Sequence, residues 1–121
     1  MDAPHLKTGC HGETIAVKYL KQNGYKILTR NFRTKFGEID IIALDNDTIA
    51  FIEVKTRRSN RYGDPKWAVT YRKKRKISQV ALYYLKTTRQ NNRKGRFDVV
   101  SITFQNNLPV VEIIKNAFEI A

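Results

Sequence analysis

Two stretches of this sequence set acids into otherwise apolar runs: Gly-Glu-Ile-Asp-Ile-Ile-Ala-Leu from Gly37, and Thr-Ile-Ala-Phe-Ile-Glu-Val-Lys-Thr-Arg from Thr48. Burying an unpaired carboxylate costs several kcal/mol, comparable with the whole stability of a small domain. Asp40 and Glu53 must therefore be paired, hydrogen-bonded or bound to a cation, and a divalent metal satisfies both at once. Lys55 follows Glu53 by two residues, which sends both side chains to one face of a strand. A structural ion pair with Lys55 is the plainer alternative, as is a lysine that merely snorkels along the sheet. Glu13 is a further acid of interest because it shares a helical face with Ala16, Val17 and Leu20. An acid in a first helical turn also gains from the macrodipole without touching a metal.

The elements that must position these acids follow from pattern. Gly12 to Asn23 is expected to be a helix, with Asn23-Gly24 as its left-handed stop. Tyr25 to Phe32 reads as an edge strand, and Ile39 to Leu44 and Thr48 to Thr56 as central strands, being richer in β-branched residues and nearly continuously apolar. After a loop over Arg58 to Pro65, the recurrence of Ile77, Val80, Ala81, Tyr84 and Leu85 predicts a second helix from about Val69 to Thr87. Gln90 to Arg96 is a polar connection, Phe97 to Phe104 a strand, Gln105 to Leu108 a turn and Pro109 to Ile114 a last strand. The result is an α/β fold of order αβββαββ, a mixed central sheet flanked by helices. The hairpin decides whether the acids cooperate. A two-residue turn at Asn46-Asp47 pairs Asp45 with Thr48 and puts Asp40 opposite Glu53 and Glu38 opposite Lys55; an odd loop without a bulge would separate Asp40 and Glu53 onto opposite faces.

A chain of 121 residues supports a single domain, residues 1–121, with one real core. Its net charge of +12 is uneven: residues 55 to 96 hold 15 of the 23 Lys/Arg and one acid, Asp64. Such a block predicts a polyanion, with nucleic acid ahead of an anionic membrane and a merely solvated basic surface as the bland alternative. Tyr62, Trp67 and Tyr71 are interleaved with these charges and are able to stack on bases, although core or rim packing is the commoner fate of such aromatics. The lone cysteine excludes an internal disulfide, and no apolar run approaches a membrane span or a signal peptide, so a soluble cytoplasmic protein is expected. His5, Cys10 and His11 fit no zinc spacing, and no glycine-rich phosphate loop follows a strand.

Asp40 followed on the next strand by Glu53-Val54-Lys55 resembles the core of the PD-(D/E)XK nuclease superfamily. Further motifs narrow the resemblance: Gly12-Glu13 with Tyr19-Leu20, Gly24-Tyr25 with Ile27-Leu28, Arg30-Asn31, Gly37-Glu38-Ile39-Asp40, Phe51-Ile52-Glu53-Val54-Lys55-Thr56-Arg57 and Arg96-Phe97-Asp98-Val99-Val100. Together they look like the bacterial YraN-type family, which is similar to archaeal Holliday-junction resolvases. The resemblance implies a restriction-endonuclease-like fold. It also implies that Asp40 and Glu53, with the carbonyl of Val54, hold Mg²⁺ (or Mn²⁺), that Glu13 completes or supports the site, and that Lys55 positions or activates the attacking water. A hard cation on oxygen ligands supplies what phosphodiester hydrolysis needs, charge neutralisation and a nucleophilic water.

Arg57, Arg58, Arg61, Arg72, Lys73, Lys74, Arg75 and Lys76 then become phosphate contacts on both sides of the metal. Asp98 is expected to be structural, paired with a nearby base. The leading expectation is a divalent-metal-dependent endonuclease on DNA, with branched or repair and recombination intermediates as candidate substrates. The rival is a non-catalytic nucleic-acid-binding protein that keeps the fold, and a basic protein for RNA or a membrane surface is third. The substrate's shape stays open, as does a homodimer of the kind that resolvases of four-way junctions form.

Overall fold

The computed structural model describes residues 4–57 and 68–119, the side chains of residues 4–11 excepted. Arg58, Arg61, Tyr62 and Trp67 lie outside the described residues, as do the side chains of His5, Cys10 and His11. The elements run α1 (Pro4–Gln22), β1 (Lys26–Thr34), β2 (Gly37–Asp45), β3 (Thr48–Arg57), α2 (Tyr71–Thr87), β4 (Lys94–Gln105) and β5 (Leu108–Phe118). This is the expected αβββαββ order. Among the described residues no helix is long and apolar enough to cross a membrane.

Local chemistry explains the boundaries. At the end of α1, Gly24 takes φ +90°. The Tyr25 amide donates to the Leu20 carbonyl at 3.0 Å and the Gly24 amide to that of Lys21 at 3.2 Å, the paired closure of a glycine-terminated helix. The helix begins at Pro4, well before Gly12, so the expected start was late. Thr70 caps α2, its hydroxyl accepting from the Lys73 amide at 3.2 Å.

The strands form one mixed sheet in the order β1-β2-β3-β4-β5, antiparallel throughout except for the parallel pair β3–β4. A parallel pair needs a long crossover, and α2 lies within it. Alternate strand residues feed two cores, one on each face. Ile42, Ile49, Phe51 and Val99 join Ile77, Val80, Ala81 and Tyr84 of α2. Ile41, Ala43, Ala50, Ile52, Val100 and Ile102 join Ala16 and Leu20 of α1. The two-residue turn is as expected: Asp45 pairs with Thr48, and Asn46 takes φ 55°. At the β4–β5 hairpin Asn106 and Asn107 both take positive φ, 53° and 64°, as the tight primed turn requires.

Asp98 is structural, as expected, and fully buried. Its carboxylate accepts two bonds from Arg96, both at 2.8 Å, one from the Tyr25 hydroxyl at 3.0 Å and one from the Asn116 amide at 2.9 Å. The last fills the ladder irregularity between Phe97 and Val99, where β5 would otherwise lose a partner. Arg96 also donates to Asp45 at 2.8 Å, and Lys115 to the same Asp45 oxygen at 3.1 Å, which ties the hairpin tip to β5. Burial, then the charge and hydrogen bond of Asp98, push the Tyr25 phenol well above its usual range, so it stays a donor. Asp98→Ala should lower unfolding stability by about 2–4 kcal/mol in urea denaturation, since it leaves a half-buried guanidinium with Asp45 alone and deprives the Tyr25 hydroxyl and the Asn116 amide of their acceptor; a loss below about 1 kcal/mol would show that the network holds nothing.

Candidate active site

Regular pairing of β2 with β3 ends at Ile41–Ile52. The next two positions carry the acids, and there the expected register gives way: Asp40 and Glu38 do not continue the ladder opposite Glu53 and Lys55. The cause is the Asp40 carboxylate, whose Oδ2 accepts from the Val54 amide at 2.8 Å, a side chain standing in for a strand. Across the sheet Asn31 takes φ 53°, between the pairs Arg30–Ile41 and Phe32–Ile39, so β1 is irregular at the same level. Glu38 pairs with Arg33 of β1 instead of Lys55.

Four acids bear on one another at this parted end, the acidic pocket of the hairpin: Asp40, Glu53, Glu13 and Glu38. Asp40 is largely buried and its carboxyl is pushed up to about 7; desolvation is the main cause, opposed by the Val54 hydrogen bond and reinforced by the charges of Glu53, Glu13 and Glu38. Glu53, only 11% exposed, receives the ammonium of Lys73 from α2. Burial works against that ammonium's charge, but the Glu53 hydrogen bond and the charges of Glu53, Asp40 and Glu38 hold Lys73 above its usual range. Lys55 donates from Nζ to the Ala68 carbonyl at 2.6 Å, at the approach to α2.

Glu13 arrives from the other face. Its Oε1 is 3.6 Å from Arg30 Nη2 and is buried without a hydrogen-bond partner. A glycine precedes it for a steric reason, because a Cβ at Gly12 would lie 2.5 Å from Thr56 Oγ1. Only a bare backbone lets α1 come this close to the end of β3. Among the described residues no group of three or more His, Cys, Asp and Glu side chains stands close enough to hold a metal ion, so Glu13 bears on Asp40 by charge and is not gathered into one ligand set. Two buried carboxylates still suit Mg²⁺, which characteristically takes one or two carboxylates and completes its octahedron with water and phosphate oxygens. A protein cation already resting on Glu53 is the stand-in that such a site would be expected to draw.

The basic residues divide by face. Arg72, Arg75, Lys76 and Gln79 line one exposed stripe of α2 and, with Tyr71, which is 67% exposed, border a shallow cavity of about 330 Å³. Lys74 is half-buried, its ammonium 5.7 Å from the centre of the Phe118 ring. Arg57 lies opposite Thr103 in the parallel pair, and its Nη1 is buried without a hydrogen-bond partner. Lys73 faces inward. Its relation to the carboxylates was missed in the sequence, where it reads as one of five consecutive bases, yet a signal existed: stepping back one turn from Ile77, Val80, Ala81 and Tyr84 lands on Lys73.

The model of the uncharacterised protein family UPF0102 matches residues 12–102, which include every acid of the pocket. A UPF0102 protein of Geobacter metallireducens is 55% identical over 121 residues, covering 100% of this chain and 99% of its own. One from Syntrophus aciditrophicus is 50% identical over 117 residues, covering 97% and 92%. A solved chain described as "Crystal structure of SSO0001" aligns with 97% of this chain and 55% of its own length, at TM-score 0.45 and 21% identity, so this chain spans little more than half of it.

The raised Asp40 carboxyl has a signed consequence for stability. Between about pH 4 and 7 the folded chain holds a proton that the unfolded chain has released, so stability falls as pH rises through that window and is level beyond it. Asn keeps an acceptor for the Val54 amide but carries no charge. In chelator, Asp40→Asn should match the wild type near pH 4 and exceed it by about 1–3 kcal/mol near pH 8 in denaturant titrations; a pH-independent difference would mean that the carboxylate is not strained by burial.

Proposed function

The chain belongs to the uncharacterised protein family UPF0102, and we propose that it is a divalent-metal-dependent endonuclease hydrolysing phosphodiester bonds in DNA, with branched repair or recombination intermediates as its substrates in the cytoplasm. The observation that carries this reading is the convergence of Asp40 and Glu53 at the parted end of the β2–β3 hairpin, one proton-hungry and the other held by a protein cation. Asp40 and Glu53 would hold Mg²⁺ or Mn²⁺, with the Val54 carbonyl alongside and Glu13 in support. The ion would neutralise charge on the scissile phosphate and lower the pKa of a bound water.

The chain's own groups do the remaining work. The Val54 amide fixes the orientation of Asp40, so no rotamer search precedes binding. Burial of Glu53 excludes competing water and strengthens its field. Lys55 lies two residues along the same strand as Glu53, and its ammonium, held on the Ala68 carbonyl, would have to leave that bond to bring a point charge to the phosphate. Arg72, Arg75 and Lys76 on the outer stripe of α2 are suited to grip phosphates, Arg57, Arg58 and Arg61 follow Glu53 and Lys55 closely in sequence as further phosphate contacts, and the exposed Tyr71 offers a stacking surface.

Cleavage should be scored with Mg²⁺ and Mn²⁺ on four-way junctions, flaps, nicked and plain duplexes. Asp40→Asn and Glu53→Gln should each cut activity by about a hundredfold or more while DNA affinity without metal stays equal or rises, because removing a negative charge beside a phosphate does not weaken attraction. Tight binding with no cleavage in either metal would instead make the chain a non-catalytic DNA-binding protein.

The grip has its own signature. Affinity should fall with salt at a log-log slope of about −0.9 per phosphate neutralised, and replacing Arg72, Arg75 and Lys76 together by Gln should reduce the slope magnitude by about 2–3 regardless of DNA sequence. Flat affinity from low to moderate salt would remove the phosphate clamp.

A further inference from the structure

The four acids that bear on the pocket are not equally provided for. Among the described residues Glu13 has Arg30, Glu38 has Arg33 and Glu53 has Lys73, whereas Asp40 has an amide and no cation. These pairs match three of the four carboxylates and leave Asp40 without a cation of its own. A divalent ion in the place of Lys73 would answer both Glu53 and Asp40, and neither of the other pairs would have to break.

Lys73 is also the base best placed to leave. Its backbone is fixed, because its amide is spent on the Thr70 cap. Its side chain is 52% exposed against 11% for Glu53, so one end of the ion pair is buried acid and the other is a flexible stem open to solvent. Arg30 and Arg33 approach from the edge strand β1 and are engaged by Glu13 and Glu38. The other lysine near the pocket, Lys55, has its ammonium on the Ala68 carbonyl.

We propose that Lys73 occupies the cation position on Glu53 in the resting protein, yields it to an arriving divalent ion, and then serves the scissile phosphate as the ammonium nearest the pocket. The proposal rests on the phosphodiesterase reading of this pocket and deepens it. Two positive charges then arrive in order. Glu53 and Asp40 would hold the metal in place of Lys73, and the released ammonium, tethered by a fixed backbone, would meet the phosphate. Lysine suits this exchange better than arginine, being a compact point charge on a flexible stem with no bidentate fork to hold a carboxylate.

The test is a calorimetric titration of Mn²⁺ into the metal-free full chain, without DNA, for the wild type, Lys73→Met, Lys73→Arg and Arg72→Ala. Methionine keeps the apolar stem, so the fold is retained, and thermal melts verify this. Lys73→Met should bind Mn²⁺ about threefold to tenfold more tightly, the scale of a released, partly exposed ion pair. Arg72→Ala removes the same charge one residue away without touching Glu53, and should stay within about twofold of the wild type. With saturating Mn²⁺, Lys73→Met should nonetheless cut DNA at least about tenfold more slowly, and Lys73→Arg should recover part of that loss. Unchanged or weaker Mn²⁺ binding by Lys73→Met, or equal tightening by Arg72→Ala, would overturn the exchange. Cleavage by Lys73→Met at the wild-type rate would overturn the phosphate role. A wild-type chain that cuts no DNA would defeat the nuclease reading while the Mn²⁺ titration still decides the exchange.

Discussion

One hydrogen bond governs the shape of this molecule's acidic end: the Val54 amide donating to the Asp40 carboxylate. An amide in mid-sheet ordinarily has a strand for its partner, and an orphaned one is costly. By meeting that need with a side chain, Asp40 lets β2 and β3 part just beyond Ile41 and Ile52 without leaving a donor unpaired. The gap that results admits Glu53, the tip of Lys73 and the approach of α1. A sheet fully zipped to its end would present two opposed acids on a closed surface, with no room between them for a third group.

Asp98, fully buried, and Asp40, partly so, show how environment assigns different roles to the same residue. Asp98 receives four hydrogen bonds, two from a guanidinium, and its charge is fully matched inside the protein. Among the described residues Asp40 receives one, from a neutral amide, and is surrounded by other acids, so burial raises its carboxyl toward neutrality. A satisfied carboxylate braces β4, β5 and the hairpin tip. An unsatisfied one costs stability, the usual condition of a site awaiting a ligand.

Much of this architecture was legible because parity and periodicity are local rules. The two-residue turn at Asn46-Asp47 followed from spacing, as did the seven elements in order, and the structural part of Asp98 followed from its place early in a strand. What escaped depends on competition between groups distant in sequence. No pattern announces that a side chain will outbid a strand for the Val54 amide, so the register was carried too far, to Asp40–Glu53 and Glu38–Lys55. Lys73 was hidden by its neighbours, since a run of five bases reads as surface even when one member lies on the buried stripe. The early start of α1 was masked by Gly9 and Gly12, which lower helical propensity in a stretch that the tertiary structure makes helical anyway.

The parallel pairing of β3 with β4 orders events in time. Its partners are separated by the whole of α2, so closing that pair requires a long loop, whereas the β2–β3 hairpin needs only its tight turn. Asp40 and Glu53 thus meet early, while still hydrated and screened. Their burial is completed only when α1 and α2 pack on the two faces of the sheet. A repulsion felt only after the rate-limiting step leaves the speed of folding untouched and shortens the lifetime of the native state. A cation bound there would then act chiefly as a latch on unfolding.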